Sequence, residues 1–389
     1  MASKRPGESG GSTTGLAVAK RARVDDAAPA NQVAIARDAK GNQVGLPLSI
    51  GRTSGLHAPI MALTGHTGEI LDLRFDPTGQ YIATASMDRY IFLWKVYGDG
   101  EGANYGMFKT HSPKALFTSV FFAPSPSSSY LFATSTDGSL TTFDLKTGGV
   151  VRRHRPVSTR RAVSSFAGKA MSSVDCTRAE SGRELLLTAG DDGTIRIWDV
   201  DARDPIEEQD FGFPLTCAKW SADGQQCYVG GIDNDIHVFD LRRKQIAYSL
   251  RAHSDTICGM AVSPDGSYLA TASFDNTLRI WDVRPFAPTV NPQQPSAPPR
   301  LYRTLMGAPA GFDNALRKPA WDPTGRRVGI GSADRTVVVW DVETGQIKYK
   351  LPGAKGTVTA FDFSPNPTEP IIASGGADRT ILLGELDAR

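Results

Sequence analysis

The chain has 389 residues, more than the roughly 250 to 300 that one hydrophobic core usually serves, so two domains or an array of repeats is required. Its 39 glycines and 25 prolines are spread along much of the sequence, which suits many short strands with turns between them and makes an all-β fold the first expectation. With 43 Lys and Arg against 41 Asp and Glu the net charge is +2, which excludes a field strong enough for non-specific nucleic-acid binding and leaves only local patches for such contacts.

Residues 1–55 are rich in Gly, Ser, Thr, Ala and basic residues, with few aromatics, and cannot bury enough surface to offset the entropy of ordering. They are expected to form a disordered basic tail ahead of a folded region over 56–389. Lys4 and Arg5, then Lys20, Arg21 and Arg23, make two basic clusters with a linker, the pattern of a nuclear import signal; a solvated basic tail is the plainer reading. No run of about 18 apolar residues and no apolar signal-peptide core occurs, so a soluble intracellular protein is expected.

Beyond the tail the chain repeats. An Asp followed six positions later by an aromatic residue recurs as Asp88 to Trp94, Asp137 to Phe143, Asp192 to Trp198, Asp233 to Phe239, Asp275 to Trp281 and Asp334 to Trp340. Asp378 keeps the offset but reaches Gly384. Successive aspartates are 49, 55, 41, 42, 59 and 44 residues apart, close to or above the period of about 40 to 45 of one four-stranded propeller blade. Each unit has β-branched and aromatic runs on both sides of the Asp turn, and most have an earlier turn such as Asp76-Pro-Thr-Gly79. The pattern predicts strand, turn, strand, turn, strand, seven times. One such unit cannot cover its own apolar face, so neighbours must stack, and a closed ring removes the exposed ends.

Cys176, Cys217, Cys227 and Cys258 form no CxxC pair and lie among strand-like residues, where a thiol acts as a small hydrophobe. Arg152, Arg153, Arg155, Arg160 and Arg161 are the densest basic stretch of the ring, placed between the second and third units; they could meet RNA or an acidic partner, or be solvated. Ala287 to Pro299 is too rich in proline to join a sheet ladder and is expected to be an extended surface loop. Met87, Ile232 and Phe274 put large apolar groups in the turns just before repeat aspartates, which marks a partner face unless neighbouring loops cover them.

His66, Ser86 and Asp88, repeated as His253, Ser273 and Asp275, contain the residue types of a hydrolase triad. An active site is needed once, whereas this set recurs at the same offsets, and again partly at His111, Ser135 and Asp137. The expectation is therefore a structural tetrad with Trp94 or Trp281, in which Asp accepts from His, His holds the Ser hydroxyl, and that hydroxyl accepts from the indole N–H. No GxSxG elbow, P-loop or HExxH motif is present, so no enzyme, cofactor, metal or small-molecule substrate is expected.

These residues resemble the WD40 family, whose repeats open on Gly-His and close on Trp-Asp. Gly65-His66 opens the first unit, His111 and His253 stand in the second and fifth, and Trp198-Asp199, Trp281-Asp282 and Trp340-Asp341 are intact endings. The third, fourth, sixth and seventh units lack a His in register and are expected to rely on packing. The resemblance implies a seven-bladed β-propeller closed by pairing Pro59–Leu63 with the last blade. Finer strings, such as Gly230–Ile236, Val238–Arg242, Trp281–Pro288 and Tyr349–Gly353, are similar to the 40 kDa WD40 subunits of the spliceosomal U5 snRNP. That likeness implies a nuclear scaffold docked on the large central U5 protein, beside other U5 proteins and U5 snRNA, with RNA contact indirect and no membrane role. The alternative is a substrate receptor of a cullin ubiquitin ligase, suggested by Trp281-Asp-x-Arg284 and Phe239-Asp-x-Arg242.

Overall fold

The computed structural model describes residues 54–56, 58–97, 104–125, 128–155, 170–178, 182–287, 297–313 and 315–386. Among them there is no helix, and 28 strands form seven four-stranded antiparallel sheets. Six sheets are simple meanders: blade 1 spans 70–109, blade 2 117–154, blade 3 171–210, blade 4 215–250, blade 5 257–306 and blade 6 320–352. Blade 7 takes three strands from 358–385 and its fourth, Ile60–Thr64, from ahead of blade 1. That strand pairs with Thr380–Glu385, Ile60 opposite Gly384 and Thr64 opposite Thr380. The first strand of each blade packs on the first strand of the next, and Val358–Phe363 packs back on Ile70–Phe75. The chain is thus a closed seven-bladed propeller.

The turn holding the repeat aspartate explains why Asp marks the period. In all seven blades the following residue is left-handed: Arg89, Gly138, Gly193, Asn234, Asn276, Arg335 and Arg379 have φ between 65° and 81°. Except at Asp233, the aspartate holds that turn by accepting from the backbone N–H two residues on, as Tyr90 to Asp88 at 3.0 Å and Thr277 to Asp275 at 2.9 Å. The short polar side chain thereby satisfies backbone that the tight turn would leave unpaired.

Blades join through the core and through a bulge. Trp94, Trp198, Trp281 and Trp340 each pack under the preceding blade, for instance Trp281 against Cys217, Tyr228 and Val238 of blade 4. Every first strand except that of blade 6 skips one residue of register. The skipped residue in blades 2, 3, 4 and 7 donates a hydroxyl hydrogen bond to the first residue of the next blade: Thr118 to Met171 O, Ser172 to Leu215 O, Thr216 to Ile257 O and Thr359 to Ile70 O. Cys258 makes the weaker thiol equivalent to Arg317 O at 3.7 Å. All four cysteines are free and buried.

Candidate functional site

The His–Asp pairs form as expected, but the hydroxyl that joins them to tryptophan belongs to threonine. His66 Nδ1 lies 2.8 Å from Asp88 and its Nε2 2.7 Å from Thr84 Oγ1, which also accepts from Trp94 Nε1 at 2.9 Å. Blade 5 repeats this with His253, Asp275, Thr271 and Trp281 at 2.8, 2.8 and 2.9 Å. Ser86 and Ser273 are corrected out of the tetrad. Strand register gives the reason: Thr84 faces Phe92, one diagonal step from Trp94, whereas Ser86 lies two residues further along the same face. Ser86 Oγ instead donates to Gly68 O and accepts from Asp88 N, and Ser273 does the same with Asp255 O and Asp275 N.

The indole can only donate, so the threonine oxygen accepts from it. Burial favours the neutral imidazole, and with Nδ1–H donated to aspartate its Nε2 accepts the threonine O–H. Burial pushes His66 and His253 below the ordinary histidine value, more than their aspartates raise them. Burial would raise Asp88, but its bonds from His66 and Thr67 prevail and hold it below the usual carboxylate range. Thr84 and Thr271 are fully buried, so the hydroxyl on each histidine is sealed from solvent.

Where the histidine in register is missing, a basic side chain from elsewhere in the blade meets the repeat aspartate in blades 3, 4 and 6, which corrects the expectation that those blades rely on packing. Arg196 meets Asp192 at 2.6 Å in blade 3, His237 meets Asp233 at 2.6 Å in blade 4, and Lys350 meets Asp334 at 2.7 Å in blade 6. In blade 2, His111 and Arg155 both face Asp137. Indole satisfaction varies in step. Trp198 donates to Thr188 at 3.0 Å, while Trp340, with Ile330 at the threonine position, donates to Met306 O at 3.0 Å. Blades 2 and 4 end on Phe143 and Phe239, which have no N–H to satisfy.

A second cluster fills the middle of the ring. Lys318, just ahead of blade 6, bonds Asp72 of blade 1 at 2.7 Å and Ser119 of blade 2 at 2.6 Å. Arg74 lies 3.5 Å from Asp362 of blade 7, and Lys219 of blade 4 lies 2.8 Å from Asp175 of blade 3. Three cations face three carboxylates. The carboxylates also cross between blades to accept backbone N–H groups, Asp72 from Val120, Asp175 from Trp220 and Asp362 from Phe75, each at 2.9 Å. Burial would raise Asp72, yet the Lys318 and Arg74 charges hold it below its ordinary value.

Of the apolar turn residues, Met87 and Ile232 are exposed, while Phe274 is half-buried against the core between blades 5 and 6. Sequence alone did not mark Phe312, which is fully exposed on the segment joining those blades, at the same end of the ring. Of the arginine stretch, Arg153 and Arg155 share the surroundings of His111 and Asp137, while Arg152 turns toward blade 3. Arg152 and Arg153 alternate along the strand Gly149–His154; Arg152 donates to Asp201 O of blade 3 at 2.6 Å, and Arg155 turns to His111 and Asp137. Arg160 and Arg161 lie outside the described residues, as do the tail bearing Lys4, Arg5, Lys20, Arg21 and Arg23, and residues 288–296 of the proline-rich run.

The profile of the WD40 family, described as WD domain, G-beta repeat, matches residues 57–95, 161–199, 209–240, 244–282, 311–341 and 345–383. The chain belongs to the WD40 repeat family. Among WD40 proteins it is 36% identical over 336 residues to the pre-mRNA-splicing factor cwf17 of Schizosaccharomyces pombe, covering 86% of this chain and 90% of that one. It is 37% identical to the U5 small nuclear ribonucleoprotein 40 kDa proteins of Dictyostelium discoideum, covering 87% and 88%, and of Homo sapiens, covering 86% of each. Blade 2 of this WD40 chain lies outside the profile matches, consistent with its Phe143 ending and exposed His111.

Proposed function

We propose that this chain is a non-catalytic scaffold subunit of the U5 snRNP that acts in the nucleus in pre-mRNA splicing, through protein–protein contacts with the large central U5 protein. The observation that carries this reading is the likeness to relatives named for U5 and for splicing, which runs through nearly the whole of both chains. It is supported by the tetrads, whose hydroxyls are buried and tied to tryptophan, so the histidines serve blade closure. The partner face is the end bearing the repeat aspartates, where Met87, Ile232 and Phe312 stand in solvent. The basic clusters of the tail serve nuclear import.

The cullin-receptor reading draws less support. Arg284 is folded back on Asp282 with bonds of 2.9 and 2.5 Å, which leaves less of its guanidinium for an adaptor. Affinity purification of the tagged full chain from nuclear extract tests the choice. Recovery of U5 snRNA and the large U5 protein is the expected result; a cullin adaptor without U5 components would overturn it.

A further inference from the structure

The ring's other end, where the Trp-Asp pairs lie, has a feature the scaffold role does not use. Across blades 4 to 6, cations stand over tyrosine rings in succession. Arg300 lies 4.7 Å from the Tyr248 centroid and Arg284 6.0 Å from that of Tyr268. Next along the rim, Arg303 lies 5.5 Å from Tyr302, and Tyr349 has Arg327 at 5.9 Å and Lys348 at 5.8 Å. Tyr268 and Tyr302 also touch, with centroids 4.9 Å apart, Arg300 donates to Arg284 O at 2.8 Å, and Arg303 donates to Glu343 O of blade 6, which together join the pairs into one strip.

Several of the acids interleaved with these cations cap their own loops, although Asp265, near Arg284, is exposed. Asp322 accepts from Arg327 N at 2.9 Å and Asp341 from Thr344 N at 2.8 Å, while Asp282 is buried. Arg242, Arg326 and Lys348 stand in solvent, as does Glu343. A molecule of net charge +2 therefore carries a locally basic strip whose arginines stand against aromatic rings.

We propose that this strip binds single-stranded RNA. The strip suits it on two counts: the exposed Arg242, Arg326 and Lys348 meet phosphates, and the tyrosine rings with the arginines beside them stack unpaired bases, which a duplex keeps to itself. An acidic protein segment would use the charge and leave the tyrosine rings without a role. That the nucleic acid is RNA rests on the splicing reading above, but binding by the isolated chain can fail or succeed independently of U5 membership.

The test is fluorescence anisotropy of the purified full chain with a labelled oligouridine of about 12 nucleotides. The triple variant Arg242→Glu, Arg326→Glu, Lys348→Glu, all at exposed positions, is expected to bind about tenfold more weakly. Arg303→Lys with Arg327→Lys keeps the charge but loses the planes, and is expected to weaken single-strand binding while leaving duplex binding unchanged. The same differences are expected when Lys20, Arg21 and Arg23 are replaced by alanine, and ultraviolet crosslinks should fall on Tyr302 or Tyr349. Wild-type affinity in a triple variant of unchanged melting temperature would overturn the proposal. So would crosslinks confined to residues 1–53 or 156–169, or a polyglutamate peptide that binds more tightly than the RNA.

Discussion

Thr84 and Thr271 each satisfy two buried partners with one hydroxyl: the tryptophan N–H that must donate and the histidine nitrogen that must accept. Thr271→Val keeps the shape and strands both, so it should destabilise the ring by about 1 to 3 kcal/mol. In a Trp281→Phe background the indole N–H is gone, and the same substitution should cost measurably less. Urea denaturation of the four proteins of this cycle gives the coupling, and strict additivity would show that the threonine does not serve the indole. The histidines set a pH dependence. Burial places His66 and His253 below the unfolded value of about 6.5, so the unfolded chain gains protons first as pH falls. Stability should be full above about pH 6.5 and decline toward the lower folded-state values, with a further loss below about pH 4 as Asp88 and Asp275 are protonated. Melting temperature against pH should show the first decline, and His66→Gln with His253→Gln should reduce it to the part left by His111 and His154, which burial also lowers.

At the scale of the element, much was legible because each blade repeats a backbone problem with few solutions. A left-handed residue must follow the turn aspartate, and that requirement fixed the period seen in the sequence. Gly193 sits there with φ +81°, and a methyl group on its Cα would lie 2.9 Å from Phe213 O, so Gly193→Ala should destabilise by about 1 to 2 kcal/mol. Arg379→Gly, which relieves a non-glycine residue at φ 65°, should be neutral or stabilise by up to about 1 kcal/mol. Thermal melts of the two variants check the opposite signs. What the sequence did not reveal were the tetrad threonines and the bulge hydroxyls. Ser86 and Thr84 offer the same chemistry on one face of a strand, and only cross-strand register separates them. A signal was present: threonine stands four residues before the repeat aspartate in blades 1, 3 and 5, which end on tryptophan, and Ala133 and Val229 stand there in blades 2 and 4, which end on phenylalanine. The bulge residues carry no fixed offset from the aspartate, so periodicity could not find them.

Over the whole molecule, the contacts least legible in the chain are those that closure creates. Lys318 and Asp72 are 246 residues apart in sequence, and no local pattern pairs them; the ring brings blades 6, 1 and 2 to one axis. Removing one partner strands a buried charge, so Lys318→Ala should cost about 3 to 5 kcal/mol, measured by urea denaturation, well beyond the loss from an exposed lysine such as Lys348→Ala. The same closure leaves two ends of different character, one where Met87, Ile232 and Phe312 are exposed at the aspartate turns and one where Arg242, Arg326 and Lys348 are exposed near the Trp-Asp pairs. The scaffold reading is tested most directly by a density map of the U5 particle purified through a tag on this chain. The predicted result is a seven-bladed ring seated on the large U5 protein with Met87, Ile232 and Phe312 in the contact; a U5 particle that lacks the ring, or holds it with that end in open solvent, would contradict it.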